Sequence, residues 1–153
     1  MKKFQAKDIQ KFLNINRQRY EYTITKFGIE PDIEKVSGKG HFHVFSFKNV
    51  IQIAIAHQVN RSGMSPTIVK DFLRWIKDVE LIHNFGILDP NTNDLKWLYI
   101  VDDSGGGNAK YFTFHNPISK MSNIAAESDC PLSFSSIHVG LIKDKLIKKI
   151  TKK

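Results

Sequence analysis

Val36–Ala56, VSGKGHFHVFSFKNVIQIAIA, changes character twice within its length. A basic glycine turn gives way to alternating histidine and aromatic residues, and these to an almost unbroken apolar run. Three readings compete for it. His41 and His43 stand two apart, so in a strand both point to one face, which a metal would accept. The glycines of Gly38-Lys39-Gly40 would let a backbone cradle a phosphate. Alternatively, the turn is the tip of a hairpin that reaches over a sugar-phosphate backbone. The flanking sequence has to decide.

Upstream, Ala6, Ile9, Phe12 and Leu13 recur at helical spacing, and NIN at 14–16 breaks the pattern. Asn16 suits the N-cap of a second helix that is apolar at Tyr20, Ile24 and Phe27 and stops at Gly28. Two short helices joined by a tight polar turn make a helix-turn-helix. Pro31 forbids continuation, and DIEKV, SGKG and HFHVF then read as strand, turn, strand. Ser46 caps a helix to about Asn60 that is too apolar for a surface and must be packed in the core. Gly63 ends it, Ser65 caps the next, and Pro66 sits in the first turn, where its missing N–H is harmless. Ile68, Val69, Phe72, Leu73, Ile76 and Val79 hold helical period to about His83.

A boundary follows at NFGILDPNTND, residues 84–94, where the apolar period changes to two. Trp97, Tyr99 and Val101 alternate with Lys96, Leu98 and Ile100 in one strand, and KYFTFH returns across the connection DDSGGGNAK. A helix over Pro117–Ala126, a third strand in LSFSSIHV and a closing helix over Leu141–Ile150 complete the chain. With 153 residues there is room for two small units, 1–84 and 90–153. The expected fold class is a mainly α winged helix-turn-helix N-terminal domain plus a small α/β C-terminal domain.

The composition, 41% hydrophobic and 25% charged, is that of a folded globular chain. No apolar run reaches the roughly 18 residues of a membrane span, and MKKFQAKDIQ lacks the apolar segment of a secretory signal, so the expectation is a cytoplasmic protein without a membrane partner. Cys130, the only cysteine, excludes an internal disulfide and a cysteine-based zinc site, and SDCPLSF offers no basic neighbour to activate the thiol. The net charge of +8 favours a polyanionic partner. Its distribution says more: residues 1–61 hold 11 basic against 5 acidic groups, residues 85–142 hold 3 against 6, and residues 143–153 hold 6 against 1.

The order helix, turn, helix, hairpin, core helix and GMSPTIVKDFL helix resembles the N-terminal winged-helix domain of the MerR family of transcription regulators. NINRQRYEY is similar to that family's Gly-Val-Ser-Arg-x-x-Leu-Arg-Tyr segment, GKGHFHVFSFKNVIQI to its wing and following helix, and RSGMSPTIVKDFL to its Leu-Gly-x-Ser-Leu-x-x-Ile-x-x-x-Leu helix. The resemblance covers residues 4 to about 76. Departures from it are His43 where the wing carries arginine, no Tyr-x-Glu after the second helix, no metal-sensing cysteines and no long dimerisation helix. The resemblance implies double-stranded DNA as partner, a recognition helix in the major groove, a wing on the flanking backbone, and a homodimer. A histidine in the wing would also make binding tighten as pH falls through about 6.5.

With Tyr20, Ile24 and Phe27 inward, Gln18, Tyr22 and Thr25 face the opposite way. Asn16, Arg17, Gln18 and Arg19 gather at the start of that helix, where base edges are met. Arginine pairs with guanine and glutamine with adenine through two hydrogen bonds each, so Asn16, Arg17, Gln18, Arg19 and Tyr22 form the expected base-reading set. The bland alternative is an ordinary solvated helix face. Lys39, His41, His43 and Lys48 suit phosphate or minor-groove contact from the hairpin. The metal reading is weaker, because two histidines supply half a tetrahedral shell and no third ligand lies near; no metal and no cofactor are expected.

His57 and His83 fall among apolar neighbours and read as satisfied core or boundary residues. DDSGGGN lacks the Lys-Ser/Thr of a nucleotide loop and reads as a plain hairpin connection, with Asp102 and Asp103 a remote candidate for a hard cation. Trp97, Tyr99, Tyr111, Phe112 and Phe114 would line the pocket of an unidentified small-molecule effector or a dimer interface, or else are simply core. The tail lysines either reach phosphates or solubilise an amphipathic helix.

The leading functional expectation is a non-enzymatic, sequence-specific DNA-binding transcription regulator. An architectural or recombination accessory protein of phage type is the second. An enzymatic or ligand-binding C-terminal module is the third, though no Ser/His/Asp, Cys/His or paired-carboxylate arrangement is readable there.

Overall fold

The run of apolar residues that closes the opening stretch is the spine of the molecule. In the computed structural model, which describes residues 2–35, 42–83, 86–89, 91–92, 97–102, 109–114 and 133–151, this helix is α3 (Phe47–Arg61); those before it are α1 (Ala6–Leu13) and α2 (Arg17–Phe27). The continuous run Asn49–Ala56 and Val59 are all buried, so the middle of α3 is enclosed all round rather than on one stripe, while Lys48, Gln58 and Arg61 near its ends are exposed. Against it pack α2, α4 (Pro66–His83) and α5 (Val139–Thr151), while α1 packs on α2 and α5. Ile9 and Phe12 of α1, Tyr20 and Phe27 of α2, Phe72 and Ile76 of α4, and Val139 and Leu146 of α5 join α3 in one buried cluster.

Local chemistry sets the ends of these helices. Asn14, at φ 53°, closes α1 in the left-handed conformation that asparagine tolerates. The Asn16 carboxamide oxygen accepts from the Arg19 N–H at 2.8 Å, capping α2, and Gly28 at φ 65° ends it. Ser46 caps α3 and Ser65 caps α4, accepting from the Ile68 N–H at 3.3 Å. These limits coincide with those read from the sequence.

The α3 cap has a second layer. One Asp32 carboxylate oxygen accepts from the Ser46 N–H at 2.7 Å, the other from the Ser46 hydroxyl, and the Asn49 side-chain oxygen accepts from the Asp32 N–H at 3.0 Å. This ties the segment after α2 to the positive end of α3, where a carboxylate is favoured.

The expected fold class does not hold, on two counts. Between Gly28 and Ser46 no strand forms among the described residues; there are only single bridges, Glu34 with Val44 and Phe4 with Phe45. Consecutive residues Val44 and Phe45 bond to different segments, one to Glu34 and the other to Phe4, so among the described residues no two-stranded ladder runs on toward Ser46. The tip itself, with Lys39 and His41, lies outside the described residues.

Nor is the C-terminal half a small α/β unit. Strands β1 (Trp97–Asp102), β2 (Ala109–Phe114) and β3 (Ser133–Ile137) pair only antiparallel, in the order β2-β1-β3, without the parallel crossover of an α/β arrangement. Its helix α5 keeps a contact with β1 but buries Val139 and Leu146 in the helical core, against α1 and α3. The core whose burial is described is thus mainly helical, with Phe4, Ile29, Phe45, Met64, Ile87, Leu88 and Ile137 added from outside the helices, and no helix among the described residues is long and apolar enough to cross a membrane.

Lys143 is another departure from the expected solvated tail. It is 1% exposed, and its ammonium donates to the carbonyls of Gly86 at 2.6 Å and Thr92 at 2.7 Å. A buried ammonium needs such acceptors. Gly86, at φ 69°, is required there: an added Cβ would lie 2.7 Å from Thr92 Cγ2.

Candidate nucleic-acid interface

Helix α2 is divided lengthwise. Tyr20, Thr23 and Phe27 are buried, and the Thr23 hydroxyl is satisfied by the Arg19 carbonyl at 2.8 Å. Arg17, Gln18, Glu21, Tyr22 and Thr25 are exposed, and Arg19 is half-buried. The 100° rotation per residue produces this division, and Tyr22 and Gln18 fall on the outer side together. Asn16 heads the helix, but its side chain is engaged as the cap and is not free to read a base.

Two arginines at one helix start repel unless something orients them. The Arg17 Nε donates to Glu21 Oε1 at 2.6 Å, an i,i+4 ion pair open to solvent, which holds the guanidinium pKa above its ordinary value. The Arg19 guanidinium lies 5.6 Å from the Tyr22 ring centroid, and Tyr22 in turn meets Phe27 edge-on at 5.9 Å. Arg17 and Arg19 thereby diverge to opposite flanks of the helix.

On Arg17's flank is a groove of about 550 Å³ between α1, α2 and the chain entering α3, lined among others by Lys7, Gln10, Tyr20, Glu21, Phe42 and His43. His43 and the 60%-exposed Phe42 therefore stand beside the first turn of α2. Tyr20 has its hydroxyl buried without a hydrogen-bond partner among the described residues, and burial first, then the charge of Glu21, pushes its pKa up to about 12. Lys48 does not line this groove. It lies in electrostatic reach of Asp89, whose pKa is lowered first by the Asn91 N–H, then by the Thr92 hydroxyl and by Lys48 and Lys143.

On Arg19's flank is a shallower depression of about 370 Å³ lined by Asn14, Ile15, Asn16, Arg19, His57 and Arg61. Sequence reasoning missed this side. It took His57 for a satisfied histidine, yet the buried Nδ1 has no partner among the described residues, and burial first, then Arg19 and Arg61, lowers its pKa. The available signal was the spacing of His57 and Arg61, one helical turn apart at the polar end of α3.

The sheet register bears on the aromatic set of the C-terminal half. Trp97 is opposite Phe114 and Tyr99 opposite Phe112, whereas Tyr111 is opposite Ile100, so the five occupy two different rows of the sheet and not one. Cys130, Asp103 and the expected helix at 117–126 lie outside the described residues. Among the described residues no three His, Cys, Asp or Glu side chains come together as metal ligands do. No protein-family model matches the chain, and no curated protein matches it.

Proposed function

We propose that the chain binds double-stranded DNA through α2 and acts as a transcription regulator. The observation that carries this reading is the division of α2: its buried face fixes the helix, and its outer face offers Arg17 and Gln18 to solvent with Arg19 and Tyr22 beside them. A helix presented in this way fits the major groove, where arginine and glutamine side chains distinguish base pairs. The net charge of +8, concentrated in residues 1–61 and 143–153, supplies long-range attraction to a polyanion. Glu21 acts as a brace, holding Arg17 until a guanine edge replaces it. A single helix reads few base pairs, so the reading includes a pair of chains on two half-sites, and a cytoplasmic location.

Selection of bound fragments from random duplex DNA tests the reading. The wild-type chain is expected to enrich one motif, and Arg17→Ala with Gln18→Ala to lose the motif while retaining salt-dependent affinity. Each lost base pairing should remove roughly 1–3 kcal/mol of discrimination. Absence of any enriched motif, or an unaltered motif in the double variant, would overturn it. Sedimentation on the selected duplex should give two chains per site.

A further inference from the structure

The depression beside Arg19 continues into a second one of about 200 Å³, where α3 meets α1 and α5. The two share His57 and Arg61, and the second adds Lys145 and Lys149 from α5, over a floor of Phe12, Leu13, Ala54, Ile142 and Leu146. Five basic side chains from three helices thus converge, and no carboxylate among the described residues lines either depression. None of Arg19, Arg61, Lys145 and Lys149 forms an ion pair among the described residues. Lys149 donates to the Phe12 carbonyl, which fixes its stem over α1.

This is the reverse of the Arg17 flank, where Glu21 neutralises the arginine. Collecting four like charges around a half-buried imidazole without a counter-charge is unfavourable in the free protein, and an anion relieves it. Arginine and lysine donors facing one concavity match the tetrahedral oxygens of a phosphate. The Asn14-to-Asn16 turn borders the same depression, so a phosphate held there would sit against the entry to α2.

We propose that His57, Arg61, Lys145 and Lys149, with Arg19 at the rim, form a binding site for a phosphate group. Two sources share that chemistry: a backbone phosphate of the duplex on α2, which rests on the proposed function, or the phosphate of a small phosphorylated ligand, which does not. In the first case the C-terminal helix extends the DNA footprint beyond α2. In the second it makes α5 a lever by which a bound metabolite touches the helix-turn-helix. Protonated His57 would be the better donor, but burial first and then the facing charges of Arg19 and Arg61 disfavour that form in the free protein; Lys145 and Lys149 of α5 line the same concavity.

The test uses the full chain and two probes. Inorganic phosphate is titrated while the ring nitrogens of His57 are followed by NMR, in wild type, in Arg61→Gln, in Lys145→Gln and in the control Lys70→Gln, which removes an exposed charge of α4 outside both depressions. A saturable shift, weakened about tenfold or more in Arg61→Gln and Lys145→Gln but not in the control, assigns the site to a free phosphate compound. In parallel, duplex affinity is measured against salt. A slope reduced by about 1 in Arg61→Gln and in Lys145→Gln, but not in Lys70→Gln, with the selected motif unaltered, assigns it to the DNA backbone. All variants are expected to keep the wild-type fold, checked by circular dichroism, since the three residues are exposed. If phosphate gives no saturable shift and every slope equals the wild-type slope, the site does not exist. If wild type binds no duplex at all, the proposed function fails while the phosphate titration still decides the site.

Discussion

Helices α2 and α3 lie in contact and have opposite characters. In α3 the buried residues run through Asn49–Ala56 without interruption, so its sequence is consumed by packing. In α2 only Tyr20, Thr23 and Phe27 are buried, and the remaining face carries charge and hydrogen-bonding groups that the fold does not require. The difference separates what holds the molecule from what it presents: the enclosed stretch Asn49–Ala56 cannot read a partner, whereas a helix anchored by three residues, or the open end of α3 at His57 and Arg61, can.

The largest test of that contrast is paired truncation. Ile55→Ala, at a fully buried position of α3, should cost about 2–5 kcal/mol in denaturant unfolding, whereas Thr25→Ala on the outer side of α2 should stay within about 0.5 kcal/mol. Equal losses at the two positions would erase the distinction. Smaller, but still above a kilocalorie, is the effect expected at the entrance to α3. Asp32→Ala removes the carboxylate that accepts from the Ser46 N–H and hydroxyl and should lower stability by about 1–2 kcal/mol, which chemical denaturation would register; no loss would mean that Ser46 alone suffices as cap.

Tyr20 sharpens the account of the anchored face. Its ring meets Phe45 edge-on at 6.4 Å, but its buried hydroxyl is unsatisfied among the described residues. Tyr20→Phe keeps the packing and drops the orphan group, so the melting temperature should hold or rise by an equivalent of about 1 kcal/mol. A fall of that size would show that the hydroxyl has a partner in solution.

The smallest effect is the acid response of His57. Its pKa in the folded chain is depressed below 6.5, so the unfolded chain binds the proton more readily in the window beneath that value. Stability is therefore full above about pH 6.5 and declines as pH falls toward the folded pKa. His57→Gln should remove that component of the decline, and 31P-silent buffers with and without phosphate should show that a bound anion reduces it. An identical acid decline in wild type and His57→Gln would contradict the sign.

Much of the helical layout was legible because caps are local. Asn16, Gly28, Ser46, Ser65 and Pro66 act on backbone groups within a turn of themselves, so their meaning survives any tertiary arrangement. The outward set Gln18, Tyr22 and Thr25 was legible for the same reason, since helical period needs no partner to be read. The wing was not. DIEKV and HFHVF have strand-like alternation, but whether Val44 and Phe45 pair with one neighbour or two depends on Phe4, some forty residues upstream in sequence. Lys143 illustrates the limit most plainly: a lysine in KDKLIKK reads as solvated, yet the carbonyls of Gly86 and Thr92, distant in sequence, accept from its buried ammonium.

By itself the sequence determined where helices start and stop, which side of α2 is polar, and where the positive charge lies. The tertiary structure alone decided that α5 shares the core of the N-terminal helices and that His57, Arg61, Lys145 and Lys149 meet. The physical reason is range: capping and helical period act over about four residues, whereas a shared core or a cluster of cations depends on which apolar faces find each other across the whole chain.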